Sequence, residues 1–242
     1  MNEVMLKKRI PKAWSEAYIT LIPKEDTDSH QVNNYRPISL LNADYKFFAS
    51  ILAGRLKRYL NNFIHVDQNG FLLKRQIKHN IRIILDTLEY YEAHPEKQTA
   101  LMFLDAQKAF DNVSWHFMLL QLAQMGFGKN FTRAIETIYC EQTARVLING
   151  ELTESIDIRK GTRQGCPLSP LWFVLTLEVL NRCIREDKRN ENEKEEYKLQ
   201  AFADDLVFIL EDPLESSCKL IERIEEYGKV AGLKLIKIKQ RY

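Results

Sequence analysis

The stretch Ala201-Phe-Ala-Asp-Asp-Leu-Val-Phe208 decides how the rest of the chain is read. Two neighbouring carboxylates, Asp204 and Asp205, stand between Ala201-Phe202-Ala203 and the apolar run Leu206 to Leu210. Short apolar runs flanking an acidic pair predict two buried strands joined by a tight turn. Adjacent ionised carboxylates repel, and apolar surroundings add a desolvation cost, so the arrangement favours a cation that shares the site. Mg²⁺, a hard ion that takes oxygen ligands and leaves room for phosphate oxygens, has the right chemistry. Aspartate is also a common turn residue, and a hairpin tip facing water can carry two without binding anything.

The 242 residues are 45% apolar, enough to bury the core of one large domain or two subdomains. A formal net charge of +2 neither requires nor excludes a polyanionic partner. Cys140, Cys166, Cys183 and Cys218 lie far apart, with no CxxC or Cys/His ligand spacing. They predict neither a zinc site nor a disulfide framework, and they fit a reducing, intracellular compartment, cytoplasm or nucleus. The N-terminus has no signal-peptide core and no run approaches about eighteen apolar residues, so no membrane partner is expected. Lys7-Lys8-Arg9 reads as a solvated basic patch.

Along the chain, Ala17 to Ile22 predicts a strand, and Pro23 to Asn34 a polar loop carrying Lys24. Pro37 holds Arg36 out of helical geometry. Apolar residues at helical spacing predict helices from Tyr45 to Phe63 and from Ile77 to Tyr91, separated by the break at Gln68-Asn-Gly-Phe71. Thr99-Ala-Leu-Met-Phe-Leu104 predicts a buried strand that ends at Asp105. A helix from Asn112 to Met125 follows, with Ser114 as cap and Gly126 as stop, then another over 129–141. Asn149-Gly150 predicts a hairpin joining Ala144–Ile148 to Glu151–Ile158. Gly161-Thr-Arg-Gln-Gly-Cys-Pro-Leu-Ser-Pro170 is a flexible loop that starts a largely buried helix reaching about Glu186. The charged run Glu186 to Glu196 reads as a solvated connector, followed by the acidic hairpin, a helix over 214–231 and a strand over 233–238.

If the strands carrying Asp105 and the Asp204-Asp205 turn are neighbours, the three carboxylates converge. Two-metal phosphoryl transfer needs such a set, holding ions roughly 3.5–4 Å apart on either side of an in-line displacement. Asp105-Ala-Gln-Lys-Ala-Phe-Asp-Asn112, Gly161 to Pro170 and Phe202-Ala-Asp-Asp205, in that order, resemble the three central blocks of reverse transcriptases. Upstream, Ile22-Pro-Lys24, Asn34-Tyr-Arg-Pro-Ile-Ser-Leu-Leu-Asn42 and Gln68-Asn-Gly-Phe71 are similar to the fingers of the non-LTR retrotransposon branch, the long interspersed element type. The resemblance covers nearly the whole chain.

That resemblance implies an α+β polymerase right-hand fold: a palm made of an antiparallel sheet backed by helices, with helical fingers and without a thumb. It divides the chain into fingers over 1–98, palm over 99–118, returning fingers over 119–165 and palm again over 166–242. The implied activity is RNA-directed DNA polymerisation, with RNA template, DNA primer and deoxynucleoside triphosphates as partners and two Mg²⁺, or Mn²⁺, as cofactors. Asp105, Asp204 and Asp205 become the catalytic and metal-binding carboxylates. Phe110 becomes the gate that a ribose 2′-OH strikes, Gln164 and Gly165 line the nucleotide pocket, and Lys24 and Arg36 hold the triphosphate. The chain departs from the family pattern at Gln107, where glutamate is usual, and at Ile236, where asparagine is usual; Lys239 stays outside the catalytic set. A catalytically silent relative that at most binds nucleic acid or a partner is the competing class, and metal binding separates the two.

Overall fold

A computed structural model of the chain describes Val4 and residues 9–107, 109–185, 198–211 and 213–239. The run Glu186 to Glu196 and residues Lys7 and Lys8 lie outside the described residues, as do the side chains of Gln107, Ile236 and Lys239. In chain order the elements are α1 (Lys12–Ser15), β1 (Glu16–Pro23), β2 (Tyr35–Leu40), α2 (Ala43–Phe63), α3 (Ile77–Glu92), β3 (Thr99–Gln107), α4 (Ala109–Asn112), α5 (Trp115–Gln124) and α6 (Lys129–Tyr139). They continue with β4 (Gln142–Ile148), β5 (Glu151–Leu152), β6 (Ile156–Ile158), α7 (Ser169–Arg185), β7 (Lys198–Phe202), β8 (Asp205–Glu211), α8 (Pro213–Ala231) and β9 (Lys234–Lys239). No described helix is long and apolar enough to cross a membrane. The chain divides into two compact units, Met1–Arg55 with Ser114–Ser169, and Leu56–Val113 with Pro170–Tyr242.

The first unit is built on a mixed sheet of order β2-β1-β4-β5, with β6 also pairing β4. Strand β1 pairs antiparallel with β2 and parallel with β4. This unit therefore carries more strand than the helical lobe the resemblance implies. Asn149 (φ 52°) and Gly150 (φ 88°) make the expected positive-φ turn after β4. The returning strand breaks into β5 and β6. Tyr45, Phe48, Ala49 and Leu52 of α2 are buried, as are Met118 and Leu122 of α5 and Ile135 and Ile138 of α6. The helix expected from Asn112 to Met125 is split, because the Ser114 side chain accepts the Phe117 N–H and starts α5 afresh.

The second unit holds an antiparallel sheet of order β7-β8-β3-β9. Period-2 alternation places Leu101, Phe103, Val207 and Ile209 on one face, where Ile84, Leu88 and Tyr91 of α3 pack against them. That packing draws α3 into the unit of the acidic sheet. The structural divisions fall after Arg55, Val113 and Ser169, against sequence-based boundaries at 98, 118 and 165. Helix α8 packs on β8 and β9, and the Tyr227 hydroxyl donates to the Thr176 carbonyl of α7. Residues Leu171 to Leu175 of α7 are all buried, as its nearly unbroken apolar run predicts.

Strand β3 does not stop at Asp105 but runs on to Gln107, because β9 extends the ladder: Asp105 pairs with Ile236, Ala106 with Leu235 and Gln107 with Lys234. Local sequence shows only the end of the apolar run, whereas the hydrogen-bond partner comes from the far end of the chain. Phe208 is 0% exposed at the centre of β8. Phe208→Ala is expected to cost about 3–5 kcal/mol, read as a lower urea midpoint with unchanged slope. Val32→Ala, at a side chain 82% exposed, should stay within about 0.5 kcal/mol.

Candidate active site

Strand β7 ends at Phe202 and β8 begins at Asp205, so Ala203 and Asp204 form a two-residue turn across the Phe202–Asp205 pair. Ala203 sits at φ 59°, a left-handed conformation that glycine normally occupies. The β3–β8 register runs from Thr99 opposite Glu211 to Leu104 opposite Leu206. Continued by one residue, it sets Asp105 opposite Asp205 on the same face of the sheet. Asp105 and Asp205 are exposed and Asp204 is half-buried. Burial first pushes the Asp204 carboxyl above the ordinary carboxylate range. A hydrogen bond from its own backbone pulls it down, and the charges of Asp205 and Asp105 push it further up.

The three predicted carboxylates therefore lie within electrostatic reach of one another. Among the described residues, no three acidic, imidazole or thiol groups stand close enough to enclose a metal ion as they are. The donor set is all carboxylate oxygen, and among the described residues no cationic side chain contributes to the balance at Asp204. Neighbouring carboxylates, one of them half-buried, fit a hard divalent cation.

The segment before α3 supports the turn. The Gln68 side chain is 1% exposed, accepts from the Ala203 N–H (2.9 Å) and the Gly70 N–H (2.8 Å), and donates to the Ala203 carbonyl (3.2 Å). A Cβ on Gly70 would stand 2.2 Å from the Ala203 nitrogen, so only glycine fits. Asn80 donates to the carbonyls of Asp67 and Ala201 and to Gln200 Oε1, at 3.0, 3.2 and 3.1 Å. The sequence marks Gln68-Asn-Gly-Phe71 as a break, but nothing local indicates that its amide closes on the acidic turn.

Phe110, on α4 in the same unit as the carboxylates, is half-buried with its ring 5.3 Å from that of Phe173. The other four predicted nucleotide residues belong to the first unit. Lys24 follows β1 directly and its N–H donates to the Asn34 carbonyl (2.8 Å); Arg36 lies on β2 opposite Ile22. Both are exposed. The Ser39 N–H donates to the Gln164 carbonyl (2.8 Å), and a Cβ at Gly165 (φ 109°) would meet the Ser39 carbonyl at 2.9 Å. Gln164 and Gly165 are thus docked on β2, three residues or about 10 Å along the strand from Arg36.

Arg163 anchors that loop. Its guanidinium donates to the carbonyls of Trp14 (3.1 Å), Ser15 and Thr143 (3.5 Å), and lies 5.7 Å from the Tyr45 ring. Ser169 Oγ donates to the Arg163 carbonyl at 2.8 Å. Burial lowers the Arg163 pKa and, with the Cys166 thiol beside it, raises that of Tyr45. Sequence reasoning passed over Arg163, because an arginine in a glycine-flanked loop ordinarily faces water.

A family model described as Reverse transcriptase (RNA-dependent DNA polymerase) matches residues 22–241. The Transposon TX1 uncharacterized 149 kDa protein of Xenopus laevis is 32% identical over 95% of this chain and 17% of its own length. The Pol polyprotein from the type-1 retrotransposable element R2 of Popillia japonica is 31% identical over 86% of this chain and 29% of its own. The RNA-directed DNA polymerase from the Drosophila melanogaster mobile element jockey is 30% identical over 71% of this chain and 19% of its own. The chain thus spans less than a third of these relatives. Among solved structures, apo telomerase from Candida tropicalis superposes with a TM-score of 0.65 at 14% identity, covering 93% of this chain and 45% of that one. A form of the same protein truncated from its C-terminal domain gives 0.64 at 13% identity, over 100% and 54%. That likeness shows the fold, an α+β polymerase right hand. Divalent metal ions are general to the matched family. A family model that spans nearly the whole chain, and retrotransposon proteins above 30% identity, make this chain a member of the reverse transcriptase family on its non-LTR retrotransposon branch.

Proposed function

We propose that the chain is the RNA-directed DNA polymerase domain of a non-LTR retroelement, adding deoxynucleotides to a DNA primer 3′-hydroxyl on an RNA template. The observation that carries this reading is the carboxylate set at the end of the antiparallel sheet, where Asp204 is crowded by Asp205 and Asp105. In this reading the second unit is the palm and the first the fingers. Asp105 and Asp204 would be the stronger ligands of two Mg²⁺ ions, with Asp205 the carboxylate nearer the primer end. When bound, the ions lower the pKa of the attacking hydroxyl and neutralise the leaving pyrophosphate. The protein's own part is mostly positioning. Phe110, braced by Phe173, blocks a ribose 2′-hydroxyl. Lys24 and the planar fork of Arg36 hold the triphosphate, and the backbone at Gln164 and Gly165 lets the incoming nucleotide approach closely. A catalytically silent remnant is the second reading, favoured by the departures from the family pattern at Gln107 and Ile236.

Asp205→Asn should lower primer extension on an RNA template on the order of 100-fold, the loss expected when a few kcal/mol of transition-state charge stabilisation goes. Equal incorporation by both proteins would remove Asp205 from the site. Phe110→Ala should raise the ratio of ribonucleotide to deoxyribonucleotide incorporation on the order of tenfold, and an unchanged ratio would count against the gate.

A melting measurement without substrate separates the readings further. Folding raises the Asp204 pKa, so its contribution to stability is present below the ordinary carboxylate range and is lost as pH rises through the raised value. At neutral pH in chelator, Asp204→Asn should therefore melt above the parent. Added Mg²⁺ should close the gap by stabilising the parent, and a parent indifferent to Mg²⁺ would favour the remnant.

A further inference from the structure

We propose that Gln68 is a positioning residue for the acidic turn: one buried side-chain amide grips both backbone groups of Ala203 and so fixes where Asp204 and Asp205 project. What the carboxylates do rests on the polymerase reading, but how they are held does not.

Gln68 Oε1 spends both acceptor positions on backbone N–H groups, those of Gly70 and Ala203, while Nε2 donates to the Ala203 carbonyl. The first residue of a two-residue hairpin turn ordinarily presents its backbone to water. Here that residue carries a Cβ at φ 59°, a left-handed conformation unfavourable to an L side chain without outside support. The grip comes from outside the hairpin, since Gln68 stands 135 positions from Ala203 in sequence.

The segment that carries Gln68 is itself tied down on both sides. Toward the sheet, the Asn69 N–H donates to the Ala201 carbonyl (2.9 Å) and the Ala201 N–H to the Asp67 carbonyl (3.0 Å), a single parallel bridge that places Gln68 beside Ala201. On the other side, Asp67 pairs with Arg185 (3.4 Å) and His65 (2.8 Å). Arg185 also pairs at 2.7 Å with Glu178, which is 1% exposed. Arg75 donates to the carbonyls of Gln68 (2.8 Å) and Ile64 (2.9 Å). Gly70 presses its backbone on Ala203 where no side chain fits. Three neighbouring carboxylates would relax by swinging the turn outward, and the strap over 67–70 opposes that motion. Losing the amide should then loosen the turn and leave the sheet intact.

Backbone amide hydrogen exchange in chelator tests this without any metal or substrate. Gln68→Met keeps the volume of the side chain and removes its hydrogen bonds. It should speed exchange at the Ala203 amide about tenfold and leave Leu206 and Phe208 unchanged. Gly70→Ala, which leaves Gln68 in place, should act in the same direction and carries the test where Gln68→Met does not fold. Unchanged exchange at Ala203 overturns the proposal, and so does equal acceleration throughout β8, which would make Gln68 a general support of the fold. In primer extension, Gln68→Met should raise the Mg²⁺ concentration for half-maximal rate severalfold, with the deoxynucleotide KM at saturating Mg²⁺ unchanged. A slower rate without that shift also overturns it. If the parent extends no primer, the polymerase reading fails alone and the exchange data still decide for or against Gln68.

Discussion

Repulsion among Asp105, Asp204 and Asp205 is the constraint around which the second unit is organised. Carboxylates spread over flexible loops would drift apart, and each would keep its water. Here the β3–β8 ladder brings Asp105 and Asp205 to opposite positions, and a two-residue turn leaves Asp204 half-buried beside them. Buried apolar area on both faces of the sheet supplies the opposing stability: Tyr91, Leu101 and Ile209 with α3 on one side, Phe208 and Leu210 on the other. The acidic end is a locally unfavourable feature carried by a favourable scaffold, as is common at functional sites.

The first unit solves a related problem with the opposite charge. A guanidinium as buried as Arg163 would be costly alone, but three backbone carbonyls from two segments, Trp14-Ser15 and Thr143, and the face of Tyr45 stand where its water would be. Trp115 adds a further tie, donating its indole N–H to the Gly161 carbonyl at 2.5 Å. The loop over 161–170 is therefore rich in glycine yet firmly located. Its glycines take positive φ at Gly161 (81°) and Gly165 (109°), and at Gly165 the backbone passes close to Ser39.

Local chemistry made much of this legible. The apolar run after Asp205, the Asn149-Gly150 turn, the Ser114 cap and the stop at Gly126 each declare themselves within a few residues. What escaped depends on partners far away in sequence. Asp105 looks like a strand end until β9 extends the ladder past it. Nothing local indicates that Ile84, Leu88 and Tyr91 of α3 pack against Leu101 and Ile209. Gln68 and Arg163 are polar residues whose partners are backbone groups, and backbone carries no signature in sequence. The three carboxylates and the strands that carry them are legible locally, while the Gln68 amide and the β9 ladder that hold them in place are not.

Neither unit is a continuous piece of chain, and this shapes the order in which the protein can fold. During synthesis β3 emerges about a hundred residues before β8, its partner from Leu104–Leu206 to Thr99–Glu211. Until then Leu101 to Leu104 form an apolar strand with two unpaired edges, and α3 has only half a surface to cover. Closing so long a loop before any ladder forms slows folding and leaves those edges open to other chains. The ribosome must deliver the whole of the first unit before the second can close, so the sheet bearing the acidic site is among the last structures to form.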